Sequence, residues 1–150
     1  MTTAIRHQVG TVLMEASTGT DLASVRYLRH QMTAVLISDG LADMVDAATL
    51  LAAELLTNAA THAHAPDGFD PCICLRVCRE SQHLLVEVFD PDPLLPRPRQ
   101  SDADEEHGRG LAIVEALAED WGERSLAKGK VIWFVLSLAA CRASACEKGT

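Results

Sequence analysis

The segment Glu54-Leu-Leu-Thr-Asn58-Ala-Ala-Thr-His62 sets a carboxylate and a carboxamide four residues apart, with a histidine four residues further on. On a helix that spacing stacks all three along one face, with Thr61 beside them. A carboxylate so placed can take a proton from a hydroxyl or a water. An amide oxygen one turn away can ligate a hard cation such as Mg²⁺. The same spacing also occurs on solvated helix faces, so the pair needs company before it means chemistry.

Two further groups supply that company. Asp90 ends an apolar strand and shares the parity of Leu84, Val86 and Val88, so it points to their side of the sheet. A carboxylate there can accept a hydrogen bond from an exocyclic amine such as that of adenine, although Asp90-Pro91 also reads as a plain turn initiator. His107-Gly108-Arg109-Gly110 then stands just before Leu111, Ile113 and Val114, where a helix begins. Glycines let a backbone approach phosphate, free N–H groups at a helix start attract anions, and an arginine can pair with them. Glycine pairs also mark flexible loop ends. Neither the Walker pattern nor the glycine-rich dinucleotide pattern occurs. In this order, the acid, the amide, the strand-end acid and the glycine-punctuated helix start are the parts that hold a magnesium nucleotide.

The elements that must position these groups can be read from periodicity. Gln8 to Ala16 reads as a first strand, and Thr20 or Asp21 can cap a helix that runs to about Ile37 and stops at Asp39-Gly40. A second helix from about Ala42 to Ala63 carries Val45, Ala48, Ala52, Leu55, Leu56, Ala59 and Ala63 on one side. After a loop at Ala65-Pro-Asp-Gly68, Pro71 to Arg79 alternates, with Ile73, Leu75 and Val77 opposite Cys72, Cys74, Arg76 and Cys78. His83 to Phe89 is its expected hairpin partner.

Pro91 to Glu106 is rich in proline and acid and reads as a mobile loop beside the site. A third helix is expected from Gly108 to Trp121, ended by Gly122. Strands at Glu123–Ala127 and Val131–Leu138 follow, joined by Lys128-Gly129-Lys130, and then a loose tail from Cys141. The order β-α-α-β-β-α-β-β implies an α+β, two-layer sandwich: a mostly antiparallel mixed sheet with helices on one face.

Bulk properties narrow the function. The 150-residue chain reads as a single domain over its whole length, with a core from about residue 8 to 138. Thirteen Lys and Arg lie scattered among 21 Asp and Glu, for a net charge of -8, which argues against nucleic acid. The longest apolar run, Val131 to Cys141, falls far short of the roughly 20 residues that span a bilayer, and the first residues do not resemble a signal peptide. With an odd number of cysteines, five, in no scaffold spacing, a cytoplasmic protein with reduced thiols and no membrane partner is expected.

Cys72-x-Cys74-x-x-x-Cys78 downstream of His62-x-His64 raises zinc as a minor alternative, but these cysteines alternate along a strand rather than forming a knuckle. Trp121, Trp133 and Phe134 read as core or interface anchors.

Taken together, these residues resemble the gyrase, histidine-kinase and MutL-type ATPase superfamily, and within it the small anti-sigma-factor serine kinases and their single-domain relatives. Glu54-x-x-x-Asn58-Ala is similar to the first box of that family and Asp90-x-x-Pro93 to the second. Gly108-Arg-Gly110-Leu-x-Ile-Val114 is similar to the third, and Gly129-Lys-Val-Ile-Trp133 to its terminal strand. The resemblance implies the Bergerat ATP-binding sandwich. In it Glu54 would be the base on an attacking serine hydroxyl, Asn58 the Mg²⁺ ligand and Asp90 the reader of adenine N6. His62, Pro93, His107, Gly108, Arg109, Gly110 and Leu111 would line the nucleotide. It also implies a sigma factor or an anti-anti-sigma (STAS-type) protein as partner, and surfaces outside the nucleotide site that contact either a second copy, as a homodimer, or a regulator. Two departures stand out: the second box is Asp90-Pro-Asp-Pro93 where Asp-x-Gly-x-Gly is frequent, and Thr61 stands where relatives often have Arg.

Overall fold

The computed structural model describes residues 10–62, 71–91 and 112–138. A five-stranded sheet in the order β1-β2-β3-β5-β4 forms one layer: β1 is Thr11–Thr18, β2 Ile73–Glu80, β3 His83–Asp90, β4 Asp120–Leu126 and β5 Gly129–Ser137. Helices α1 (Leu22–Ser38) and α2 (Val45–His62) form the other, together with a short helical stretch, α3, at 112–117. All four described strand pairings are antiparallel, so no parallel ladder of the expected mixed sheet is found among the described residues. The described helices pack on one face of the sheet, and the chain is the expected α+β sandwich.

Local chemistry explains the element ends. The Asp21 carboxylate accepts from the Ser24 N–H at 2.6 Å and so caps α1. At its other end Gly40, at φ 76°, turns the chain out of the helix. The Gly40 N–H donates to the Ile37 carbonyl and the Leu41 N–H to that of Leu36, while the Leu36 and Leu41 side chains are both buried. That is the six-to-one closure a left-handed residue permits. A single 3-10 turn at Ala42–Met44 then feeds α2, whose expected start is thereby split in two.

The core lies between the layers. Leu28, Met32 and Leu36 of α1, Leu51, Leu55 and Leu56 of α2, and Ile73, Leu75, Leu84, Val86, Val88 and Phe134 of the sheet all belong to one buried cluster. The alternation expected in β2 holds, with Ile73, Leu75 and Val77 inward. On the outer face Cys78, Leu85 and Val135 form a smaller cluster against Trp133. Beside it the buried Glu87 carboxylate accepts from Arg76 at 3.1 Å and faces Arg124 at 3.5 Å.

Three sequence expectations need correction. The first strand runs on to Thr18, beyond its expected end at Ala16, and its register against β2 shifts between Val12 and Met14, as at a β-bulge. The third helix does not reach Trp121. It gives way after residue 117, the Glu119 N–H donates to the Val135 carbonyl, and Asp120 already begins β4. Gly122 is therefore a strand residue and not a helix stop: it faces Trp133, whose ring lies where a Cβ would stand. Lys130 is a strand residue as well, not part of a connecting loop. Residues 8–9, Ala63, the loop at Ala65–Gly68, the loop from residue 92, the helix start through Leu111 and the tail beyond 138 lie outside the described residues.

Two predictions follow from this packing. Gly122→Ala puts a methyl 2.6 Å from Trp133 Cζ2, so it should destabilise the fold by about 1–3 kcal/mol and shift tryptophan emission, measured by denaturant titration. At the cap of α1, the hydrogen bonds from Ser24 hold the Asp21 carboxyl below its ordinary value. Its folded pKa lies beneath the unfolded one, so the carboxylate stabilises the fold above the unfolded value and the increment is lost as pH falls through the folded one. Asp21→Ala should therefore be less stable than wild type at neutral pH, and the gap should close under acid.

Candidate functional site

The polar flank of α2 is a by-product of how its apolar side packs. Ala48, Leu51, Ala52, Leu55, Leu56 and Ala59 are all buried. Helical geometry turns Glu54 and Asn58 onto one flank of that stripe, where both are half-buried, with Thr61 exposed next to them. His62 is the last residue of the helix. Oxygen donors of a carboxylate and a carboxamide on one rigid helix suit Mg²⁺ and a phosphate-bearing ligand. An open groove of about 620 Å³ passes Glu54 toward Arg29, Asp46 and Thr49 on the α1 side, but neither Asn58 nor Asp90 lines it. It is a surface furrow between the helices rather than a nucleotide cleft.

Asp90 sits where strand parity puts it. Leu84, Val86 and Val88 face the core, and Asp90 ends the same strand buried on the same side. Sequence reasoning missed its neighbour. The β3–β5 ladder sets Asp90 opposite Lys130, and Lys130 Nζ lies 3.4 Å from Asp90 Oδ2, with the two side chains only 6% and 5% exposed.

Gly129 makes the approach possible. It sits at φ 117°, and any Cβ there would collide with the Asp90 carbonyl oxygen and lie 3.1 Å from Pro91 Cα. Glu123 on β4 feels the same ammonium: burial pushes its carboxyl up and the Lys130 charge pulls it partly back. The signal available in the sequence was a lysine directly after a glycine at the start of an apolar strand, which hairpin counting alone left in a loop.

The donor set fits a purine nucleotide with its metal. A carboxylate retains lone pairs for an amine after accepting from one ammonium, and the pair holds its charges inside a strand end. Pro93, His107, Gly108, Arg109, Gly110 and Leu111 lie outside the described residues, as does His64. Cys74 and Cys78 belong to the outward side of β2, and among the described residues no three His, Cys, Asp or Glu side chains gather as a metal cluster. Nor, among them, is any helix long and apolar enough to cross a membrane.

Comparison with known proteins bears on the family and the fold. Residues 19–136 match the model of the histidine kinase-like ATPase domain. A stretch of 71 residues is 39% identical to an uncharacterised protein of Streptomyces coelicolor, covering 45% of this chain and 67% of that protein. Among solved structures, the histidine kinase domain of a blue-light-activated histidine kinase from Erythrobacter litoralis superposes with a TM-score of 0.51 at 18% identity. That superposition covers 79% of this chain and 63% of the other, so the chain spans less than two thirds of its structural neighbour, and the likeness is one of fold. The family match begins just before α1 and ends inside β5, taking in α2 with Glu54 and Asn58 and the strand end with Asp90, and the chain belongs to the histidine kinase-like ATPase domain family.

Proposed function

We propose that this chain is an anti-sigma-factor-like regulator that binds Mg·ATP and phosphorylates a serine or threonine on an antagonist protein of the anti-anti-sigma (STAS) type. The observation that carries the reading is Glu54 beside Asn58 on the flank of α2, in a chain of an ATPase family. Binding alone has no use for a base, whereas transfer to a hydroxyl does.

The roles divide by chemistry. Asn58 would hold Mg²⁺, which when bound neutralises phosphate charge. Asp90 would accept the exocyclic amine of the base. Glu54 would take the proton from the attacking serine as its oxygen bonds to the γ-phosphorus and ADP leaves. Phosphoryl transfer asks little more of a protein than positioning and charge, so this sparse set is sufficient. His107 to Leu111 would supply the phosphate cradle and Pro93 the wall after the strand. The acidic surface, with a net charge of -8, favours a basic protein face as partner. A homodimer through the outer sheet face, where Cys78, Leu85, Val135 and Trp133 cluster, belongs to the same proposal.

The rival reading is a module that sequesters a sigma factor without chemistry, with or without ATP. The prolines at 91 and 93 favour it, because they stiffen the chain leaving Asp90 where glycines would let it close.

The experiment that separates them pairs binding with turnover. Glu54→Ala should leave ATP affinity nearly unchanged and cut phosphotransfer by about 10²–10⁴-fold. Asn58→Ala should instead weaken Mg²⁺-dependent affinity by about tenfold, the scale of one interaction with a charged group. Equal effects of both variants on binding and turnover would remove the division of roles, and a wild type that binds ATP without transferring phosphate would favour the module. Asp90→Asn should weaken ATP by about 1.5–3 kcal/mol in an equilibrium titration, with the fold checked by circular dichroism. An unaltered affinity would take Asp90 out of the site.

A further inference from the structure

The inward side of the sheet holds two acids and one cation at the strand end where a base is to be read. Asp90 of β3 and Lys130 of β5 are register partners, Lys130 Nζ stands 3.4 Å from Asp90 Oδ2, and both side chains are withdrawn from solvent. Glu123 of β4 is opposite Ile132, a core residue, so it stands on the inward side too. Of the other elements packed there, β2 turns Cys74 outward, and α2 gives the core apolar residues and keeps Glu54 on its flank. Desolvation of two charges offsets most of their attraction, so stability is a poor account of the buried pair.

Glu123 shows what this corner does to an acid. Burial pushes its carboxyl up, and the Lys130 charge pulls it only partly back. Asp90 is buried where Glu123 is half-buried, so the same desolvation acts on it, and it has the ammonium directly against one oxygen. A carboxyl that takes up a proton gains a donor where an exocyclic amine needs an acceptor.

We propose that Lys130 is a positioning residue for the base: its ammonium holds Asp90 charged and inward, in the state that accepts the exocyclic amine of the nucleotide. This role rests on the nucleotide-binding reading of Asp90 given above and adds a residue to it. It asks of Lys130 only a charge at short range, so it needs neither a free donor on the lysine nor a contact between lysine and base. Without the ammonium, protons compete with the amine for Asp90, and binding weakens as pH falls. With it, the carboxylate stays charged over the same range and that competition is absent.

A pH profile of nucleotide affinity is the readout, because a lysine that merely supports the fold would change affinity by one factor at every pH. Binding of Mg·ATP to the whole chain is measured by equilibrium dialysis from about pH 8.5 down to about pH 5.5, a span wide enough for a raised carboxyl to titrate. Each variant is compared with wild type at the same pH, so the titration of the nucleotide itself cancels. The deficit of Lys130→Met should grow at least about tenfold on acidification, the change that one pH unit below a titrating group brings. Lys130→Arg, which keeps the charge, should hold a constant ratio to wild type. In an Asp90→Asn background Lys130→Met should add no pH dependence, since the acid it acts through is gone.

A constant deficit for Lys130→Met, a deficit that grows equally for Lys130→Arg, or a pH dependence that survives Asp90→Asn overturns the proposal. Should the methionine variant fail to fold, wild type against Asp90→Asn decides. A ratio of affinities that stays constant across the range marks an Asp90 that remains charged and supports the role. A ratio that shrinks toward unity in acid marks an Asp90 that takes up a proton and overturns it. A wild type that binds no Mg·ATP at any pH would instead overturn the nucleotide reading itself.

Discussion

The contact between the apolar stripe of α2 and the sheet constrains everything else in this molecule. Ala48, Ala52 and Ala59 alternate with Leu51, Leu55 and Leu56 along that stripe, and all are buried against residues such as Leu75, Val86 and Val88. Small residues let the helix sit close, and large ones fill the space between layers. Once this face is buried the rotation of the helix is decided. Glu54 and Asn58 then have no choice but to share one half-buried flank. A helix turned by one residue position would bury the carboxylate or expose a leucine, and either costs more than the flank could return.

The sheet imposes the second half of the arrangement. In β3 the parity that sends Leu84, Val86 and Val88 into the core carries Asp90 inward too, so a charge ends up buried at a strand end. A buried carboxylate needs compensation, and Lys130 supplies it from the neighbouring strand. Gly129 is the enabling residue, for its left-handed backbone and missing side chain admit the Asp90 carbonyl. The outer face solves the same problem with Arg76 and Arg124 around Glu87. It also buries a little apolar area, with the Trp133 ring laid over Gly122. A face of that composition is neither bare nor a full core, and it is the face proposed above for the homodimer.

Fold and chemistry are thus joined through two rigid elements. The helix flank carries the Glu54 and Asn58 oxygens proposed for metal and phosphate, and the strand end carries the buried Asp90–Lys130 pair. Sites built on helices and strands hold their geometry better than sites on loops, which suits a domain that must position a nucleotide. The furrow beside Arg29 and Asp46 reaches Glu54 from the other side of α2.

Much of this was legible in the sequence. Apolar period and parity alone assigned the faces of α2, β2 and β3, and with them the side on which Glu54, Asn58 and Asp90 stand. Asp21 and Gly40 marked the ends of α1 through capping chemistry that is local and therefore readable. Tertiary contacts decided the rest. Residues 118–121 read as the end of a helix, yet Asp120 to Gly122 pair with β5, and the Trp133 ring lies where a side chain on Gly122 would stand. The register shift in β1 likewise depends on its pairing with β2. Lys130 looked like an ordinary loop cation until antiparallel register set it opposite Asp90, and no local pattern encodes which residue a strand partner will present. The sequence by itself determined which groups face inward, since that depends on periodicity within one element. Which charges meet there was decided only by the register between strands, a property of the assembled sheet.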